Sequence, residues 1–188
     1  METKTILLNP AETLETPHLI LRLWALEDEA VYARLSDDAE IARLTGTFLY
    51  PQPDGWSAQR LTRYVSALEA GTGYNFAVCL RDSLEVIGDC GLFLEPRHRR
   101  AELGYWCATA FRGNGYITEA ARAVMRFGFD RLGLHRVQAG YFPRNPASRR
   151  ILEKIGMRRE GLMRGYFVKD DVPEDVMYFA VLKSDVET

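Results

Sequence analysis

The chain has 188 residues, 47% hydrophobic and 27% charged, which suits one globular domain with a core of its own. A net charge of −2 and a pI near 6.0 exclude a general electrostatic attraction to nucleic acid. No apolar run approaches the roughly 18 residues that span a bilayer, and METKTILLNPAETLETPH lacks the basic start and apolar stretch of a signal peptide, so a cytoplasmic protein is expected.

Residues 1–16 read as a flexible leader, because Pro10 and Pro17 bracket polar residues with little periodicity. In HLILRLW (18–24) Leu19, Leu21 and Leu23 alternate, a strand pattern. Residues 26–44 follow helical spacing, with Glu27, Asp28 and Glu29 favourably placed in the first turn. A loop rich in proline and glycine (47–56) precedes a helix over 57–71, with Ser57 as its cap and Gly71 as its stop. Strands are predicted over 74–81 and 85–96, joined by a hairpin at 81–84, with a bulge near Gly88 or Gly91. A third strand, AELGYWCA (101–108), turns Leu103, Tyr105 and Cys107 one way and Glu102, Gly104 and Trp106 the other. Then come a helix over 116–131, a strand over 135–142 and a helix over 145–156. Two last strands, about 159–168 and 175–183, flank KDDVPED. The order β–α–α–β–β–β–α–β–α–β–β predicts an α/β (α+β) domain, antiparallel through its hairpins, with a parallel crossover around 116–131.

The stretch FRGNGYITEA (111–120) carries two glycines at the entry to a helix. A helix N-terminus leaves amide N–H groups unpartnered, and its dipole favours anions. From these residues alone a phosphate cradle and a plain tight turn both stay open; neither a Walker A nor a Rossmann fingerprint is present. In NPASRRILEKIG, Asn145 suits an N-cap, Pro146 the first helical position and Gly156 the stop. Cys79, Cys90 and Cys107 lack CxxC spacing, and His18, His98 and His135 lack ligand spacing, so reduced thiols and no metal are expected.

HLILRLW, AELGYW, FRGNGYITEA, NPASRRILEKIGM, EGLMRG and EDVMYFAVL, in this order over about residues 16–185, resemble the GNAT superfamily of N-acetyltransferases in its RimJ/RimL-type branch. The resemblance implies a single GNAT acetyltransferase domain over 17–188. Its sheet would have about six to seven mostly antiparallel strands, the central ones splayed, with about four flanking helices. It implies acetyl-CoA as cosubstrate and no metal. The family's pyrophosphate pattern falls on Arg112, Gly115 and Ile117, with Gly113 inside, so the amides of Gly113, Asn114, Gly115, Tyr116, Ile117 and Thr118 would grip the diphosphate. Two positions depart from the pattern: Ile117 replaces a small residue, and Asn114 stands where lysine is common. Tyr105, Trp106 and Cys107 would pair with the pantetheine through backbone groups, Asn145 would bond that arm, and Arg149 or Arg150 would meet the 3′-phosphate.

The chemistry is attack of a neutral amine on a thioester. An α-amine near pKa 8 is partly neutral at pH 7, whereas a lysine near 10.4 is not, so a base is useful, as is a donor to the departing thiolate. The resemblance implies Ser148 as that donor and Glu102 as the base, with Glu160 and His98 as weaker candidates. No cysteine lies in an activating motif, so direct transfer without a covalent enzyme intermediate is expected. The acceptor implied is a protein N-terminal α-amine, with an amino acid, a polyamine or an antibiotic as alternatives; a homodimer stays open. A non-catalytic acyl-CoA-binding sensor is the rival from another class.

Overall fold

The structure, a computed structural model, describes residues 13–186. The strands are β1 (Thr13–Glu15), β2 (Leu19–Leu23), β3 (Gly73–Leu80), β4 (Val86–Glu95), β5 (Arg100–Cys107), β6 (Arg136–Tyr141), β7 (Arg158–Lys169) and β8 (Val172–Leu182). They form one sheet in the order β1-β2-β3-β4-β5-β6-β8-β7, all antiparallel except the β5–β6 pair. The helices are α1 (Glu29–Ser36), α2 (Ala39–Leu44), α3 (Trp56–Glu69), α4 (Tyr116–Asp130), α5 (Pro146–Lys154) and the short α6 (Lys183–Val186).

Most predicted elements are found where the periodicity puts them. Three local readings change. Thr13–Glu15 is an edge strand on β2 rather than leader, while residues 1–12 of the predicted leader lie outside the described residues. Gly55, at φ +74°, opens α3 in place of Ser57, whose buried hydroxyl donates to Gln52 at 3.1 Å. Val172–Glu174 belong to β8, and Asp170–Asp171 alone make the turn, both with positive φ. Pro173 is tolerated because β6 pairs with β8 only from Met177 onward, so its missing N–H deprives no neighbour.

Both faces of the sheet are covered. Under α4, the strand residues Leu21, Phe76, Val78, Leu92 and Leu103 pack against Ala120, Val124 and Phe127. On the opposite face Trp24, Ala77, Cys79 and Trp106 pack under Tyr32, Ile41, Leu61 and Tyr64 of α1, α2 and α3. That double burial removes seven of the eight β3 residues from solvent, where an alternating pattern alone predicts one covered face. A fully buried Leu or Phe contributes about 2 kcal/mol.

Between Gly88↔Val78 and Val86↔Cys79 the pairing skips Ile87, so β4 is bulged beside the predicted glycine. A Cβ on Gly88 would lie 2.3 Å from the Trp106 carbonyl oxygen. Gly88→Ala is therefore expected to lower the unfolding free energy by about 1–3 kcal/mol in denaturant titrations. Gly161→Ala, whose Cβ meets nothing within 4 Å, should stay within about 0.5 kcal/mol.

Asp89 is a carboxyl carried inside the second layer. It is buried, and the Trp24 indole N–H donates to its Oδ2 at 2.6 Å. Burial pushes its carboxyl up to about 7, an effect the Trp24 bond and the Arg60 charge only partly offset. A folded pKa above the unfolded value near 3.9 gives stability that is fully present at low pH and lost as pH rises toward 7. The unfolding free energy of the wild type should thus fall between pH 4 and 7 relative to Asp89→Asn; a pH-independent difference would contradict this burial.

Candidate active site

β5 and β6 pair over only three positions, Arg100↔Arg136, Ala101↔Val137 and Glu102↔Gln138. Past these, β5 stays with β4 as far as Cys107↔Gly88, and β6 stays with β8 as far as Tyr141↔Met177. The two central strands therefore part, as the splayed-strand expectation requires. In an antiparallel strand alternate residues turn their N–H and C=O to opposite sides, so some main-chain groups over 103–107 face the gap. Such groups need a partner, from water or from a ligand.

β5 leads into α4 and β6 into α5, so both helices start at the open end of the gap. Gly113 and Gly115 hold φ of +85° and +86°, and a Cβ at either would meet nothing within 4 Å. Glycine is thus required by conformation rather than by crowding within the protein, and the space above the turn is open. No side chain caps α4, which leaves its first amides for an anion. The amide Nδ2 of Asn114 donates back to the Phe111 carbonyl at 3.2 Å and braces the loop. Arg112 Nε donates to the Cys107 carbonyl at 3.1 Å, tying the loop to the end of β5. Ile117 is buried on the face it shares with Ala120, Ala121 and Val124, so its bulk goes to the core. Tyr116 packs against the core as well, and Thr118 is half-buried. This turn fits a diphosphate.

Asn145 is the N-cap of α5: its Oδ1 accepts from the Ser148 N–H at 3.1 Å. Ser148 is 8% exposed, and its Oγ lies 2.8 Å from the Tyr105 hydroxyl. Cross-gap contact between β5 and α5 is therefore made by the side chain of Tyr105, where the sequence reading had only its backbone. Burial raises the pKa of Tyr105, so the phenol keeps its proton. Trp106 turns its indole into the aromatic layer, 5.6 Å from Tyr32, so only its main chain is available to the gap. Cys107 is half-buried and burial pushes its thiol up to about 11, which makes it a poor nucleophile. Arg149 is exposed and ion-paired along its own helix to Glu153 at 2.8 Å.

A cavity of about 540 Å³ joins this gap to the face covered by α1, α2 and α3. Ser148, Tyr105 and Asn145 line it together with Glu102, Asp89, Arg60 and Tyr178. Glu102 is held by the Tyr178 hydroxyl, which donates to Oε1 at 3.2 Å, and burial raises its pKa. Of the weaker base candidates, Glu160 is locked to Arg136 at 2.5 Å and His98 is exposed, and neither lines the cavity. Asp89 and Tyr178 escaped the sequence reading. Asp89 is placed by cross-strand register with Trp106, a relation with no local sequence signal.

Among the described residues no cluster of His, Cys, Asp or Glu is placed to hold a metal ion, and no helix is long and apolar enough to cross a membrane. Over residues 18–158 the chain matches the acetyltransferase (GNAT) domain family. It is 33% identical over 172 residues to YoaA of Bacillus subtilis, an uncharacterized N-acetyltransferase, covering 90% of this chain and 96% of that one. It is 27% identical over 135 residues to the [ribosomal protein uS5]-alanine N-acetyltransferase of Escherichia coli, covering 71% and 69%. Among solved structures, Mycobacterium smegmatis RimJ in complex with CoA-disulfide superposes with a TM-score of 0.81 at 22% identity, covering 90% of this chain and 84% of that one. Because the matched region contains the parted strands, the glycine-entered helix and the capped serine helix alike, the chain belongs to the GNAT family of acetyl-CoA-dependent N-acetyltransferases.

Proposed function

We propose that the chain acetylates a protein N-terminal α-amine by direct transfer, with Glu102 as base and Ser148 as donor to the leaving thiolate. The observation that carries this reading is one cavity lined by both Glu102 and Ser148, at the point where β5 and β6 part. Similarity to the Escherichia coli enzyme named for the alanine of ribosomal protein uS5 supports the acceptor class. The amides of 113–118 would hold the diphosphate, the gap-facing main-chain groups of β5 and Asn145 the pantetheine, and Arg149 or Arg150 the 3′-phosphate. Acetyl-CoA, when bound, supplies the acetyl thioester.

Glu102 takes a proton from the amine, and its burial makes it a stronger base than an exposed carboxylate. Ser148 donates its hydroxyl hydrogen towards the sulfur while Tyr105, at 2.8 Å, donates to Ser148 Oγ and holds it in place. A backbone N–H near Trp106 or Cys107 would meet the developing oxyanion. The high thiol pKa of Cys107 supports transfer without a covalent enzyme intermediate.

Thiol release from acetyl-CoA, measured with N-terminal peptides, free amino acids and polyamines, should show peptides as the preferred acceptors. Preference for a small amine would overturn the acceptor class, and tight CoA binding without any turnover would favour a sensor. Ser148→Ala should lower kcat by about 10- to 1,000-fold with CoA affinity near that of the wild type; an unchanged kcat removes the serine from the mechanism. Gly115→Val places a branched side chain at φ +86° above the turn, and calorimetry should show CoA binding weakened about tenfold or more.

A further inference from the structure

The bulged segment of β7 has no part in the mechanism so far. Between Met163↔Val176 and Phe167↔Glu174 the pairing passes over Arg164, Gly165 and Tyr166. Gly165 has φ +57°, and its N–H donates to Asp175 Oδ1 at 2.8 Å, which pins the bulge to β8. Bulges beside functional sites re-aim side chains. This one brings the Tyr166 hydroxyl 3.3 Å from that of Tyr178, with the rings edge to face at 5.5 Å. Tyr178 in turn reaches both oxygens of Glu102, at 3.2 and 3.4 Å. Tyr166 is 49% exposed. The series Glu102–Tyr178–Tyr166 thus runs unbroken from the cavity to solvent.

We propose that Tyr178 and Tyr166 carry to bulk water the proton that Glu102 takes from the acceptor amine, and that the β7 bulge exists to complete this path. The proposal rests on Glu102 being the base. The step balances as a relay: the Glu102 carboxyl proton passes to the Tyr178 oxygen, the Tyr178 proton to the Tyr166 oxygen, and the Tyr166 proton to water. Both phenols end as they began, and Glu102 is again a carboxylate, ready for the next amine. Without such a path, a protonated, half-buried Glu102 would have to lose its proton through the cavity that the amine itself uses.

The other groups facing Glu102 bear on its titration. Gln138 on β6 hydrogen-bonds it and favours the ionised form, as does the charge of Arg100 on its own strand, while Glu95 on β4 opposes ionisation. Arg100 is itself paired to Glu95 at 2.8 Å, and Gln138 accepts from Arg136 at 3.1 Å. Tyr178 is the largest favourable contact. The base must be ionised to act, so activity rises with pH through the Glu102 pKa. Removing a donor to the carboxylate raises that pKa.

For Tyr178→Phe, the acidic limb of the kcat/KM–pH profile should therefore move up by about one pH unit, a roughly tenfold loss on that limb, with CoA affinity retained. Tyr166→Phe leaves the Glu102 hydrogen bond intact and should lower kcat without moving the limb. Glu102→Gln separates the role of the base from that of the relay. If Glu102→Gln abolishes turnover and the Tyr178→Phe profile superimposes on the wild type, the relay is wrong while the base assignment stands. If Glu102→Gln keeps wild-type kcat, the base assignment fails and the relay falls with it. An unchanged kcat in Tyr166→Phe overturns the exit through Tyr166.

Discussion

Everything at this site depends on two central strands that stop pairing with each other while each stays fully paired on its other side. A sheet interior normally satisfies its main chain on both sides, so leaving part of β5 without a partner costs free energy in the ligand-free protein. β4 holds β5 through Cys107 and β8 holds β6 through Tyr141, so the gap is rigid on both flanks. A ligand with amide groups along an extended arm can then complete a sheet that is already shaped for it, without a large ordering cost. Both helices begin at the open end of the gap, which puts the glycine-entered turn of α4 and the Ser148 hydroxyl at the same end.

The second constraint is charge within a covered layer of the protein. Asp89 and Glu102 both lie in the cavity and both are pushed toward the neutral form by burial. They differ in their donors. Asp89 accepts from an indole deep in the aromatic layer, whereas Glu102 accepts from a phenol that leads to the surface. That difference separates a carboxyl sealed in the aromatic layer from one whose hydrogen-bonded neighbours lead to the surface. It follows from strand register and from one bulge, and from nothing in the two residues themselves.

Features with local causes were legible in the sequence. The positive-φ glycines at 113 and 115, the Asn145 cap and the buried face of α4 all follow from spacing along one helix or one turn. Parting of β5 and β6 was an expectation carried by family resemblance, because no residue in either strand marks where pairing ends. The contacts that escaped, Tyr105 with Ser148 and Glu102 with Tyr178, join residues 43 and 76 positions apart. Pro173 and its acidic neighbours read as loop because propensity ignores that one side of a strand can lack a partner.

Amide hydrogen exchange with and without acetyl-CoA tests the central claim most directly, since it reads the main-chain groups that the gap leaves open. Bound acetyl-CoA should slow exchange within 103–107 and at the α4 entry over 113–118, with little change in β2 or β3. Unchanged exchange over both segments at saturating acetyl-CoA would contradict that claim.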